Sequence, residues 1–279
     1  MSIPQQSSHP ESAYRNSTFD SFKVVAERLT GRFGDKPFCT WYDDDRDERV
    51  ELSYRTFGNW VAKAANLLVD ELGAAPGDRV GVLADHWQVP VLLTACWRAG
   101  LCVVRLDQST PPLVAAFVHE ERLAGAPVPE ATPVVALTAD PLGRAGRDLG
   151  RAQNFSRIVA SMGDDFDGGP GPDGAALVAG GEAVTMAGLL ERAAALAGRT
   201  SLTDADRLLS GRPLLTPAGA AAGLLAPLAS GAGVVLVHHL DPARFWRRVA
   251  DERVTVAVLD PGQVPGGPDH PPLRVLLDD

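Results

Sequence analysis

The chain has 279 residues, 45% hydrophobic and 22% charged, which describes a soluble globular protein with core enough for one large or two modest domains. Its net charge of -9 excludes nucleic acid as a default partner, because no basic field exists to displace counterions from phosphate. No run reaches the length of a membrane span without Gly or Pro, and no charged n-region with an apolar h-region opens the chain, so a cytoplasmic protein without a membrane partner is expected.

Residue usage narrows the chemistry. The lysines are Lys23, Lys36 and Lys63, so no phosphate-clamping or Schiff-base lysine can come from the last three quarters of the chain. Cys39, Cys96 and Cys102 read as buried reduced thiols, two of them inside apolar runs.

Residues 1–16 are polar and lack apolar periodicity, as a frayed tail does. Phe22, Val25, Ala26, Leu29 and Phe33 fall at helical spacing. Phe38 to Tyr42 and Val50 to Leu52 read as two strands around the turn Asp43-Asp44-Asp45-Arg46-Asp47, expected to be a solvated hairpin tip. A helix follows from Ser53 or Tyr54 to Leu72, then a strand at Val80 to Leu83, a helix from Val89 to Ala99 and a strand at Leu101 to Leu106. Ser109-Thr110-Pro111 has the form of a cap with Pro in the first turn, predicting a helix to about Leu123. Val134 to Leu137 is a further strand.

Pro141 to Gly174 breaks the rhythm with a Gly, Pro and Asp-rich run and reads as an irregular linker. A strand at Ala175 to Val178, a helix from Met186 to Ala197 and a strand at Arg207 to Leu209 come next. A helix from Ala218 to Leu228, a strand at Gly233 to Val237 and a helix capped by Asp241-Pro242 follow. Strands at Val254 to Leu259 and Leu273 to Leu277 end the series. Alternating strands and helices predict an α/β protein with mostly parallel sheets.

The two parts repeat one another. Leu52-Ser53-Tyr54, Gly77-Asp78-Arg79-Val80 and Arg98-Ala99-Gly100-Leu101 through Asp107 correspond to Val184-Thr185-Met186, Ala205-Asp206-Arg207-Leu208 and Ala229-Ser230-Gly231 through Asp241. The expected organisation is a tail at 1–16, a first α/β half at 17–140, a linker at 141–174 and a second α/β half at 175–279.

Leu52-Ser53-Tyr54-Arg55 with Ala75-Pro76-Gly77-Asp78-Arg79-Val80 resembles the start of the adenylate-forming enzymes: acyl-CoA synthetases, luciferases and peptide-synthetase adenylation domains. Trp97-Arg98-Ala99-Gly100 up to Leu106-Asp107 resembles a further segment of that family, with Gln108 where the family has proline. Leu224 to Gly231, Val254-Thr255-Val256 and Pro261 resemble the part after its phosphate loop. The resemblance covers residues 18 to 279 and implies an incomplete N-terminal domain of that family, built of two pseudo-repeated βαβ subdomains. The chain is also similar to a group of short actinobacterial proteins with twilight similarity to AMP-binding enzymes.

In the family, a Ser/Thr/Gly-rich loop ending in Pro-Lys-Gly holds the ATP phosphates. Here the corresponding place reads Leu177-Val178-Ala179-Gly180-Gly181-Glu182-Ala183-Val184, without hydroxyls or lysine and with an added carboxylate. Leu215-Thr216-Pro217 stands where the family has an aromatic-histidine pair. The adenine motif, the ribose-binding Asp and the C-terminal catalytic lysine would lie beyond Asp279. Attack on the ATP α-phosphate needs such cationic groups.

The expectation is therefore a pseudoenzyme that binds a nucleotide such as ATP or AMP, an acyl group, or a protein partner, homo-oligomers included. The alternatives are an acyl-CoA synthetase or AMP-dependent ligase with residual or partner-completed activity, and an interaction subunit without a small ligand. Candidate ligand-binding residues are Gly180, Gly181, Arg212, Thr216 and His238; no catalytic residue and no metal site is assigned. Arg212 is the best cation near a strand end, against the simpler reading of a surface ion pair. His86 is a second residue at a strand end. His238 and His239 are adjacent on a strand and should point to opposite faces, so they should not serve one site.

Overall fold

Strands in this chain alternate their burial between two apolar surfaces, and that alternation decides the architecture. The computed structural model describes residues 31–106, 112–140, 144–168, 174–260 and 273–277. The polar tail, most of the helix read from Phe22 to Phe33, the Ser109-Thr110-Pro111 cap and Asp107 lie outside these residues.

The elements run β1 (Pro37–Asp43), β2 (Glu48–Ser53), α1 (Tyr54–Asn66), β3 (Arg79–Leu83), α2 (Val89–Arg98), β4 (Cys102–Arg105), β5 (Ala115–His119), β6 (Val134–Leu137), β7 (Gln153–Asn154) and α3 (Phe155–Val159). They continue with β8 (Ala175–Ala179), β9 (Glu182–Thr185), α4 (Met186–Thr200), β10 (Arg207–Ser210), α5 (Pro217–Ala220), α6 (Ala226–Ser230), β11 (Gly233–His238), α7 (Pro242–Asp251), β12 (Val256–Leu259) and β13 (Arg274–Leu277). α1 extends into a π-helical turn over Leu67–Glu71, and a second π turn, Ala221–Leu225, joins α5 to α6. Side-chain oxygens of Ser53, Thr185, Thr216 and Asp241 accept backbone N–H groups at the starts of α1, α4, α5 and α7, which satisfies donors that a helix cannot use internally.

Two sheets form. The seven-stranded one has the order β7-β6-β5-β3-β4-β8-β9, the six-stranded one β13-β12-β10-β11-β1-β2. All neighbours are parallel except the hairpin pairs β1–β2 and β8–β9. This is the mixed α/β class with mostly parallel sheets that the repeat implies. The sheets do not divide at the 141–174 segment, however. The early hairpin β1–β2 completes the sheet of β10 to β13, and β8–β9 completes the sheet of β3 to β7.

Val234 and Leu236 of β11 and Val256 and Val258 of β12 join one large core with Val80, Val82 and Phe117 of the other sheet and with α1, α2, α4 and the α5–α6 run. These helices lie between the sheets. The alternate residues Val235, Val237, Ala257 and Leu259 face outward against Phe245 and Val249 of α7. Ala116 and Val118 of β5 face a third cluster with Cys102, Val104 and Leu106. Sheets buried on both faces take near-continuous apolar strands, as these are.

Two expectations are corrected. The helix read from Pro111 to Leu123 is the strand β5, followed by one 3-10 turn, Glu120–Arg122. The run Val114 to Val118 is apolar throughout, and its residues pair on one side with β3 and on the other with β6. A short apolar run of this kind does not distinguish helix from strand by periodicity, and two waiting partners decide the matter. The segment read as irregular linker contains β7 and α3. Phe155 within it is fully buried against Phe117 and Trp60, with ring centroids 5.8 and 5.9 Å away. Cys39, Cys96 and Cys102 are free and buried, as expected. Among the described residues no helix is long and apolar enough to cross a membrane.

Candidate functional site

Parallel strands deliver the loops that follow them to one edge of a sheet, which is where α/β proteins place ligands. Here the carboxyl ends of β3 and β5 in one sheet face those of β1, β10 and β11 in the other. Two adjoining cavities lie between them. The larger, about 100 Å³, is lined by Asp43, Asp85, His86, His119, Glu121 and His239 among others. The smaller, about 30 Å³, reaches Gly211, Arg212 and Leu214. Trp41, Asp85, His86 and His238 border both.

Charge is arranged in pairs around this cleft. Arg122 meets Asp85 at 3.3 Å, and Arg46 contacts Glu121. Arg46 Nε also lies 3.5 Å from Asp43 Oδ2. The Arg212 guanidinium is buried beside the cleft and is half of an ion pair, reaching the half-exposed Asp260 at 3.1 Å. Asp44, next to Asp43, is gripped by Arg248 of α7 through two bonds of 2.9 and 2.5 Å, both partners buried. The acidic turn is thus anchored to α7 through Asp44, which corrects the expectation of a wholly solvated tip.

Burial sets the protonation of the cleft histidines. His86 is pushed down to about 3, chiefly by desolvation and then by the nearby His119 and Arg46. Desolvation also lowers His119 and His238. All three are neutral imidazoles near pH 7, able to accept a proton-bearing group or a metal ion at a ring nitrogen. His86 Nε2 is buried and has no hydrogen-bond partner among the described residues. His238 stacks on Trp41, with centroids 5.8 Å apart.

His238 and His239 do not diverge. His239 follows the end of β11 with a φ of 50°, outside the extended region. That turn breaks the two-residue alternation and folds its ring back to 3.7 Å from the ring of His238, centroid to centroid. His239 Nδ1 lies 3.1 Å from Asp43 Oδ1 across the β1–β11 pairing. Asp43, His238 and His239 offer three ligand atoms within 4.8 Å of one another, the donor set in this cleft that could hold a metal ion.

The other predicted residues divide. His238 and Arg212 line the cleft. Thr216 is the cap of α5: its Oγ1 accepts from Gly219 N at 3.0 Å and donates to Pro213 O at 2.8 Å. Gly180 and Gly181 border neither cavity and form the two-residue turn between β8 and β9. Their φ angles are +57° and +82°, and a Cβ on either would meet nothing within 4 Å. Glycine suits the turn's backbone, which favours φ > 0 at both positions. Glu182 beside it pairs with Arg192 at 2.6 Å. Sequence reasoning missed Trp41, His119 and Glu121, and weighed the carboxylate run that begins at Asp43 as a cation binder only to prefer a solvated tip. A usable signal existed: His86, His119 and His238 each end or follow a strand that enters the cleft.

The family model for "AMP-binding enzyme" matches residues 26–132. An acyl-CoA synthetase of Brucella canis superposes with a TM-score of 0.69 at 17% identity, covering 87% of this chain and 47% of that one. The N-terminal domain of FACL13 from Mycobacterium tuberculosis superposes with a TM-score of 0.65 at 15% identity, covering 86% of this chain and 62% of that one. At these identities the likeness is one of fold, and the chain spans about half the length of the Brucella enzyme. The fold is that of the N-terminal domain of acyl-CoA synthetases. A TIGR03089 family protein of Mycobacterium tuberculosis (strain ATCC 25618 / H37Rv) is 39% identical over 229 residues, 78% of this chain and 90% of the relative. The chain belongs to the TIGR03089 family.

Proposed function

We propose that this protein is a non-catalytic member of the AMP-binding class that keeps the cleft between its sheets for a small ligand, an adenine nucleotide or an acyl-CoA. The observation that carries this reading is the β8–β9 turn. At the place of the family's phosphate loop the chain has two residues, Gly180 and Gly181, closing a hairpin whose last register pair is Ala179 with Glu182. Such a turn offers neither a cradle of several amides nor a lysine, and Glu182 places a carboxylate where phosphate oxygens would come. Stabilising the charge that develops during adenylation requires preorganised donors or cations at that point.

The cleft itself is retained and bears buried Arg212 together with Arg46 and Arg122, cations suited to an anionic group. A ligand that binds only the folded state raises stability by RT ln(1 + [L]/Kd). Thermal melting with ATP, AMP and a medium-chain acyl-CoA tests the reading. At least one should raise the Tm, and Arg212→Ala should abolish that rise. A melting temperature unmoved by all three at millimolar concentration would remove the small-ligand role.

A further inference from the structure

The chain has six histidines, and four of them, His86, His119, His238 and His239, line the larger cavity. They come from strand ends and the loops after them, far apart in sequence and on both sheets. Interspersed are the carboxylates Asp43, Asp85 and Glu121. Neutral imidazole nitrogen combined with carboxylate oxygen is the donor set that suits zinc and its neighbours, whereas magnesium and calcium take oxygen almost alone.

We propose that Asp43, His238 and His239 form a binding site for one divalent transition-metal ion of the zinc class, open to the cavity on its remaining side. Their three ligand atoms already lie within 4.8 Å of one another. Two donors on a tetrahedral ion with ordinary zinc bond lengths stand about 3.3 Å apart. The observed 3.1 Å between His239 Nδ1 and Asp43 Oδ1 is close to that edge. An ion entering there would replace the hydrogen bond between the two groups with two coordination bonds.

The surroundings hold these ligands as metal sites hold theirs. Asp43 is buried and closes β1, so its carboxylate is fixed by the sheet. Its Oδ1 also accepts the Asp45 N–H at 3.1 Å, and its Oδ2 lies 3.5 Å from Arg46 Nε. His238 is oriented by the Trp41 ring. His239 is aimed by its left-handed backbone, a conformation that a non-glycine residue adopts at a cost and that persists where surrounding structure imposes it. Partners of this kind fix ligand geometry and tune affinity. The cavity of about 100 Å³ leaves room for the ion and a few bound waters. Three protein ligands with one open position is the arrangement of sites at which a metal meets an exchangeable ligand.

The site goes beyond the nucleotide or acyl-CoA reading and can be tested without either ligand. Full-length protein free of any histidine tag is titrated with Co²⁺ while visible absorption is followed, then challenged with Zn²⁺ and with excess Mg²⁺. One Co²⁺ should bind per chain with the intense absorption of a tetrahedral site. Zn²⁺ should displace it stoichiometrically and Mg²⁺ should not. His239→Ala, which removes a side chain about half exposed, should fold as the parent does by circular dichroism and lose at least about tenfold in affinity; His238→Ala should lose as much. A variant lacking His9 and His270 should bind as the parent does. Absence of Co²⁺ binding, unchanged affinity in His239→Ala, displacement by Mg²⁺, or loss of the ion in the variant lacking His9 and His270 would each overturn the assignment.

Discussion

At the scale of single residues, the Asp44–Arg248 pair is an ion pair with both side chains buried. The guanidinium bonds both carboxylate oxygens while lying 4.2 Å over the Tyr42 ring. Removing one partner of such a pair strands a buried charge, which typically costs about 3–5 kcal/mol. Asp44→Asn should lower chemical stability by that order in a denaturant titration; a loss under about 1 kcal/mol would show that water already reaches Arg248. His86 carries a pH dependence. Its folded value of about 3 lies below the ordinary 6.5, so between those values the unfolded chain binds a proton that the folded chain does not. Stability therefore rises with pH across that window and is complete above 6.5. The metal-free protein should lose up to about 1.4 kcal/mol per pH unit from this group as the pH falls from about 6 to 4. His86→Gln should flatten that part of the curve, measured as unfolding midpoint against pH; an unchanged curve would mean the ring is hydrated. The capping role of Asp241 was legible because a cap acts within three residues. The burial of Asp43 and Asp44 was not, because their partners His239 and Arg248 lie about two hundred residues away.

At the scale of elements, the β8–β9 hairpin is the place where local geometry and functional reading meet. Gly180-Gly181 was read as standing at the place of a phosphate loop, but a run of letters does not say whether glycines cradle a ligand or turn a chain. The positive φ at both positions gives the turn a need for glycine of its own. Gly181→Ala puts a side chain at φ +82°, which costs about 1–2 kcal/mol. The expected result is a lower Tm with unchanged ligand response; a lost response would return the turn to the binding site. Two misreadings at this scale share a cause. β5 was read as a helix because its apolar run is short and its partners β3 and β6 are non-local. The two histidines were set on opposite faces because alternation was extended one residue past the end of β11, where the backbone has already left the extended region.

At the scale of the whole molecule, the internal repeat made the α/β class and the likeness in fold to acyl-CoA synthetases visible. It did not reveal that each sheet borrows a hairpin from the other part of the chain. That exchange is why Asp43, on an early strand, stands beside His238 and His239 on a late one, and why the cleft draws its lining from both parts. Strand ends of both sheets thus meet at one cleft, while Gly180 and Gly181 form the two-residue turn between β8 and β9. The most direct test is ATP-dependent pyrophosphate release by the full chain at high concentration over a panel of aliphatic, aromatic and amino-acid carboxylates with Mg²⁺. The prediction is release no faster than in the absence of protein for every carboxylate. Carboxylate-dependent release that Arg212→Ala abolishes would contradict it and make the cleft an active site.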